Sequence, residues 1–211
     1  LGVINVNING GYFLGALVGH NQRGYISNCY STGTVIGNNS FVGGLVGSSV
    51  FSSYITYCYS EANVTGATGD LYVGGLVGYI LDSEISNSYS RGSVTSTFDH
   101  YRNTYCGGLV GVANGNALIR NCYSTGLVSG YVEPSLTAHV YGGLIARSDG
   151  TVSVVNSFWD IETSGATTSA GGTGKTTTLM KFQFTYTGWD FTTIWGISAG
   201  KNDGYPYLVT S

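Results

Sequence analysis

The feature that most constrains this chain is a Gly-Gly-Leu-Val-Gly block that returns at a nearly fixed spacing. It stands as Gly43-Gly44-Leu45-Val46-Gly47, recurs at residues 74–78 and 107–111, and has looser copies at Gly15-Ala16-Leu17-Val18-Gly19 and Gly142-Gly143-Leu144-Ile145-Ala146. A second block follows each first one: Ile26-Ser27-Asn28-Cys29-Tyr30-Ser31, then the segments that open at Ile55, Ile85, Ile119 and Val154. The central leucines, Leu17, Leu45, Leu76, Leu109 and Leu144, lie 28, 31, 33 and 35 residues apart. A period of about 30 with two short β-like segments per copy suits one solenoid coil, whereas a propeller blade needs about 40 residues and four strands. The fold class expected is all-β: a β-solenoid (β-helix) of about five coils, stacked at the strand spacing of about 4.8 Å.

Stacking turns equivalent positions into ladders. Besides the leucines, these are Ile26, Ile55, Ile85, Ile119 and Val154; Tyr30, Tyr59, Tyr89, Tyr123 and Phe158; and Val35, Val64, Val94 and Val128. Each buried aliphatic contributes roughly 1.5–3 kcal/mol. A single repeat cannot bury its own apolar face, so the stack is the folding unit. The repeated glycines are expected either where φ is positive or where no Cβ fits.

Composition agrees. Charged residues are 9 % of the chain, against roughly 25 % in soluble domains, so Asn, Ser, Thr, Tyr and backbone must wet the surface. Hydrophobic residues reach 42 %, which argues against disorder, and no run approaches the roughly 20 apolar residues of a membrane helix. Eight Lys and Arg spread along a chain of net charge −3 form no basic stripe, so neither nucleic-acid binding nor membrane insertion is expected.

The paired pattern, Gly-Gly-Leu-Val-Gly followed by Ile-x-Asn-Cys-Tyr-Ser-x-Gly-x-Val, resembles the GLUG repeat family of bacterial and archaeal surface proteins, which includes adhesins and regions flanking immunoglobulin-cleaving peptidases. The resemblance covers about residues 1–160. It implies a stacked-β architecture outside the cell or on its surface and a structural or adhesive role, and it brings no catalytic residues. The fifth copy departs from the pattern at Ala146, Phe158 and Trp159, as a terminal repeat does. Residues 161–211 are expected as a connector and C-terminal cap with a short helix near 176–184, folding Trp189, Phe191 and Trp195 over the last coil.

Several constellations invite chemistry. The run Ser169-Ala170-Gly171-Gly172-Thr173-Gly174-Lys175-Thr176 looks like a phosphate loop, yet Ser169 stands where the first glycine must be, so a flexible connector is the better reading. Cys29, Cys58 and Cys122 share one ladder position with Ser88 and Ser157. Adjacent coils lie within disulfide reach, so a Cys29–Cys58 bond and stacked free thiols are both open. No C-x-x-C occurs and His20, His100 and His139 fall in different coils, which argues against zinc. Glu61 and Arg91 are ladder equivalents and should form a surface ion pair. Calcium is the one cofactor the carboxylates could offer to hold, at Asp82 with Glu84 or Asp160 with Glu162, but no ligand pattern repeats and none is expected. The sequons at Asn38 and Asn63 carry little information alone.

Length variation says more. The copies lengthen only between the ladder valine and the next Gly-Gly, which confines the insertions to one edge, the common place for a binding surface in repeat arrays. That candidate interaction edge holds Asp70, Tyr72, Phe98, His100, Tyr101, Arg102, Tyr105, Tyr131, Glu133 and His139. A second candidate lies in the first strand, where Val3, Ile4, Val6 and Ile8 form an assembly edge open to strand addition. The reading is a non-catalytic structural or adhesive module of a cell-surface protein, whose partners are host or cell-surface proteins or glycans. Its alternatives are a self-assembling filament subunit that binds copies of itself and, third, a polysaccharide-active enzyme, for which the chain offers few clustered acids and bases.

Overall fold

The structure, a computed structural model, describes residues 1–69, 71–97, 103–130 and 139–209. Five coils stack in parallel register as a β-solenoid, and all four ladders align as the repeat predicts. Leu45, Leu76, Leu109 and Leu144 are fully buried, as are Val35, Val64, Val94, Ile55, Ile85 and Ile119. Ile8 pairs with Val35 and so adds a rung that the repeat alignment did not include. The tyrosine rings of neighbouring coils stack almost parallel at 4.9, 4.8 and 4.9 Å from Tyr30 to Tyr123.

A complete coil carries five short strands where the sequence suggested two. In the second coil they are Ser40–Gly43, Val46–Val50, Tyr54–Thr56, Tyr59–Ser60 and Asn63–Gly66. The extra divisions come from corners in the left-handed backbone region. One corner is the Asn of the Ile-x-Asn block: Asn28, Asn87, Asn121 and Asn156 have φ of 53, 46, 52 and 45°, and Tyr57 follows at 54°. Asn tolerates this conformation because its short amide bonds locally, whereas other L-residues lose roughly 1–2 kcal/mol there. The other corner is Arg23, Phe51, Asp82, Gly115 and Gly150, all at positive φ. Gly115 and Gly150 carry the residue best suited to it and Asp82 one that tolerates it, whereas Arg23 and Phe51 do not. Phe51, 43 % exposed at φ 55°, is therefore a strained side chain with modest packing. Phe51→Gly is expected to stabilise the fold by about 0.5–1 kcal/mol, after the entropy cost of Gly, in urea titration monitored by circular dichroism.

Most repeated glycines answer to the second of the two expected causes, close approach. A Cβ on Gly44 would enter the carbonyl of Gly75 in the next coil and the hydroxyl of Ser60. The buried serine ladder meets this backbone directly: Ser31 Oγ donates to Gly44 O and Ser124 Oγ to Gly143 O, both at 2.7 Å. Trp159 takes that ladder position in the fifth coil, in register with Ser124.

Beyond Trp159 the chain makes one more, shorter circuit of the perimeter. Val128 N donates to Ser164 O, Gly143 N to Thr168 O, Ala170 N to Ile145 O and Thr173 N to Ser157 O, each at 2.9 Å. Strand Thr173–Lys175 then pairs with Phe158–Asp160. The stretch expected as a flexible connector is thus the ordered floor of the stack. Ser169 Oγ accepts from Leu144 N and Ile145 N at 3.2 and 2.9 Å, a structural use of the residue that broke the phosphate-loop pattern.

The expected helix is one turn, Thr177–Met180, capped by Thr176 and followed by a 3-10 turn at Gln183–Thr185. The remaining aromatics lie along the side of the stack and not over its end. Trp195 sits 6.2 and 6.1 Å from the Tyr89 and Tyr123 rings, and Trp189 is 6.3 Å from Phe158. Together with Met180, Tyr186, Tyr205 and Leu208 they bury the outer edge of the tyrosine ladder.

Candidate functional site

Strand alternation sends Val42, Val73 and Cys106 inward and the residue before each outward, so Phe41, Tyr72 and Tyr105 form an exterior row. Phe13 lies 5.2 Å from Phe41, Tyr79 from the adjoining sheet stacks on Phe41 at 4.8 Å, and Tyr72 meets Tyr105 at 5.5 Å. At the far end the Arg147 guanidinium covers the Tyr105 ring at 5.1 Å and donates to its hydroxyl at 2.7 Å. His20 bonds Ser48 at 2.6 Å beside Phe13. The result is an aromatic seam along one outer corner of the stack.

Of the interaction edge expected from coil length, Tyr72 and His139 are half-buried, and Tyr105 is 8 % exposed because neighbouring groups such as Arg147 cover it. Tyr105 is therefore not the exposed contact residue the sequence suggested. Asp70, Phe98, His100, Tyr101, Arg102, Tyr131 and Glu133 lie outside the described residues. Sequence reasoning missed Phe13, Phe41 and Tyr79. For Phe41 the signal was present, since it stands two residues before the block's first glycine, as Tyr72 and Tyr105 do.

The first strand, Gly2–Gly10, pairs in parallel with Tyr30–Gly37, with an irregularity between Val3 and Val6. Val6 packs on the core under the valine sheet, Val3 and Ile8 are half-buried, and Ile4 is 62 % exposed. Among the described residues this strand has no second partner.

All four cysteines are free thiols, so Cys29 and Cys58 stand as unbonded neighbours. Their ladder position has one job. The Cys29, Cys58 and Cys122 thiols donate to the carbonyl two residues back at 3.1, 3.2 and 3.2 Å, and Ser88 and Ser157 make the same bond at 2.8 and 2.9 Å. Burial pushes the Cys58 and Cys122 thiols up to about 12, which keeps them protonated and poorly nucleophilic.

The acidic pairs are also occupied. Asp160 is fully buried; its Oδ1 accepts from Glu162 N, Thr163 N and Thr177 Oγ1 at 2.9, 3.1 and 3.0 Å, and its Oδ2 from Tyr205 at 2.7 Å. Asp82 accepts from Asn116 N at 2.8 Å, and Glu84 pairs with Arg120 at 2.8 Å. These carboxylates tie segments together with N–H and O–H donors aimed at their lone pairs, an arrangement that does not fit calcium. Among the described residues no group of three ligating side chains converges.

Glu61 and Arg91 are neighbours as the ladder requires, at 3.9 Å, but Arg91 is held mainly by the C-terminal turn. Its guanidinium donates to the Asn202 and Asp203 side chains and lies 5.4 Å over the Tyr205 ring. Arg91 in turn holds the Asp203 carboxyl below the usual carboxylate range. Asn202 also donates to the Tyr123 hydroxyl at 2.8 Å, which itself donates to Pro206 O at 2.6 Å. An open cleft of about 490 Å³ remains between this turn and the tyrosine ladder.

The model of the GLUG motif matches residues 10–36 and 69–95. Over 132 residues the chain is 38 % identical to a Gly-rich membrane protein of Evansella cellulosilytica, covering 59 % of this chain and 14 % of that protein. Over 195 residues it is 33 % identical to Halomucin of Haloquadratum walsbyi, covering 79 % of this chain and 2 % of that protein. The chain thus spans a small part of these relatives. A crystal structure from Bacteroides ovatus, described as an immunoglobulin A1 protease, superposes with a TM-score of 0.56 over 89 % of this chain and 58 % of the other at 24 % identity, a likeness of fold alone. Among the described residues no helix is long and apolar enough to cross a membrane.

Proposed function

From the premise that this chain is built from GLUG repeats, we propose that it serves as a structural and adhesive module of a cell-surface protein, without catalysis of its own. The observation that carries this reading is the aromatic seam on a sparsely charged, in-register stack: Phe13, Phe41, Tyr72 and Tyr79 touch ring to ring as a continuous row along one outer corner. Aromatic side chains combine large contact area with few rotatable bonds, which suits recognition of a protein or glycan surface. The names of the two relatives, one a membrane protein and one Halomucin, support a place at the cell surface, and the small share of each that is matched supports a module within a longer chain.

The double variant Phe41→Ala and Tyr79→Ala is expected to retain a cooperative melt and to lose at least about tenfold in retention on immobilised cell-surface glycans and matrix proteins. Unchanged retention across all surfaces that hold the parent chain would remove the adhesive half of the reading. A second reading, end-to-end assembly of copies, rests on the edge of Gly2–Gly10, which has no second strand partner among the described residues, and on the exposed Ile4. Discrete particles at every concentration in negative-stain images would end it.

A further inference from the structure

The cleft beside Arg91 has a chemistry of its own. At about 490 Å³ it falls within the roughly 300–1,000 Å³ of small-molecule sites. Two carboxylates, Glu61 and Asp203, and two cations, Arg91 and Lys201, line it, so its formal charge is balanced. The Arg91 charge is already answered by Asp203 and Glu61, and Lys201 lies 4.9 Å over the Tyr207 ring. A free anion or cation therefore gains little there over water.

What the walls do offer is donors and acceptors together. The Glu61 and Asp203 side chains are 40 and 78 % exposed and can each accept more than the bonds they make to Arg91. Burial and the nearby Glu61 push the Tyr59 phenol up to about 12, so it keeps a proton to donate, and Lys201 is a second donor. The Tyr207 ring adds apolar surface between them. These groups are held in place by the stack on one side and by the Arg91 contacts to Asn202 and Asp203 on the other, so little ordering remains to be done on binding.

We infer that this cleft binds a neutral saccharide of one or two rings, its hydroxyl groups bridging the Glu61 and Asp203 carboxylates to the Tyr59 and Lys201 donors. A polyol is the ligand whose every group both donates and accepts, which is what a charge-balanced wall carrying both donors and acceptors can satisfy. The site lies on the tyrosine side of the stack and does not depend on the aromatic seam.

The test is saturation-transfer NMR with the methyl glycosides of glucose, galactose, mannose and N-acetylglucosamine, with galacturonate as the charged comparison. Transfer to at least one neutral glycoside is expected, with amide shifts at Glu61, Arg91 and Lys201. Affinity should fall at least tenfold in the Glu61→Gln, Lys201→Gln double variant, whose melting point should match the parent because both side chains are exposed. No transfer to any neutral glycoside, shifts confined elsewhere, stronger binding of galacturonate, or equal affinity in the double variant would each overturn the assignment. The Phe41→Ala, Tyr79→Ala chain should bind the same glycoside as the parent, which keeps failure here separate from failure of the adhesive reading.

Discussion

Gly75→Val is expected to leave the chain without a cooperative fold. The added Cβ alone would enter the carbonyl of Gly108 and the hydroxyl of Ser90, and the two methyl groups beyond it have nowhere to go. The Gly108 carbonyl is backbone and cannot turn aside, and even with its hydroxyl rotated away Ser90 keeps its Cβ at 3.0 Å. Gly75 N donates to Gly107 O, Gly44 N to Gly74 O and Gly108 N to Gly142 O, so relief at one coil breaks the bonds of the next. The loss should exceed about 4 kcal/mol, a large part of the 5–15 kcal/mol that holds a typical domain together. Gly200→Ala is the control, since nothing lies within 4 Å of the added methyl and its backbone is not left-handed. Far-ultraviolet circular dichroism on heating separates the two outcomes: a parent-like transition in Gly75→Val would mean that the coil spacing is looser than these contacts require.

Alkaline pH is expected to unfold the protein in one step, and the direction follows from which state releases protons first. Burial raises the Cys58 and Cys122 thiols from 9.0 and the Tyr59 and Tyr205 phenols from 10.0, all to about 12. It raises Tyr89, Tyr123 and Tyr186 further still. Groups whose pKa is higher in the folded state contribute stability that is complete below their unfolded values and lost as pH rises toward the folded ones. Stability should therefore hold to about pH 9 and fall progressively above it, each deeply buried phenol contributing up to about 1.4 kcal/mol per pH unit. The part of the tyrosinate absorbance that belongs to the buried phenols should appear together with the loss of β-sheet signal. Ionisation of every tyrosine, the ladder included, on an intact fold would contradict the ladder's burial.

The scaffold was legible because its period is in phase with its physics: every rung from Leu17 to Leu144 repeats one environment, so the alignment of copies is already a contact map. The corners were written there too, in the Asn of each Ile-x-Asn block, but their meaning needs a dihedral angle, and Tyr57 in the same place disguises the rule. The cysteine position was ambiguous because serine and cysteine donate the same short bond, and nothing in the alternation of Cys29, Cys58, Ser88, Cys122 and Ser157 says whether two sulfurs will join. The C-terminal segment was read least well. It has no period, and its decisive contact, Arg91 with Asp203, spans 112 residues. Coil length pointed to an interaction edge, whereas the aromatic seam was set by a parity along the strand, one residue before the core position, which length cannot reveal.

The short circuit between Asp160 and Lys175 has a further meaning. A solenoid of identical coils is indifferent to direction, because each face offers the same perimeter to whatever comes next. Here the last perimeter is shorter than any coil and is drawn inward under Trp159, so it no longer has the outline on which another coil could be templated. On that side, therefore, the circuit acts as a terminator, ending the series of equal perimeters that the coils pass from one to the next.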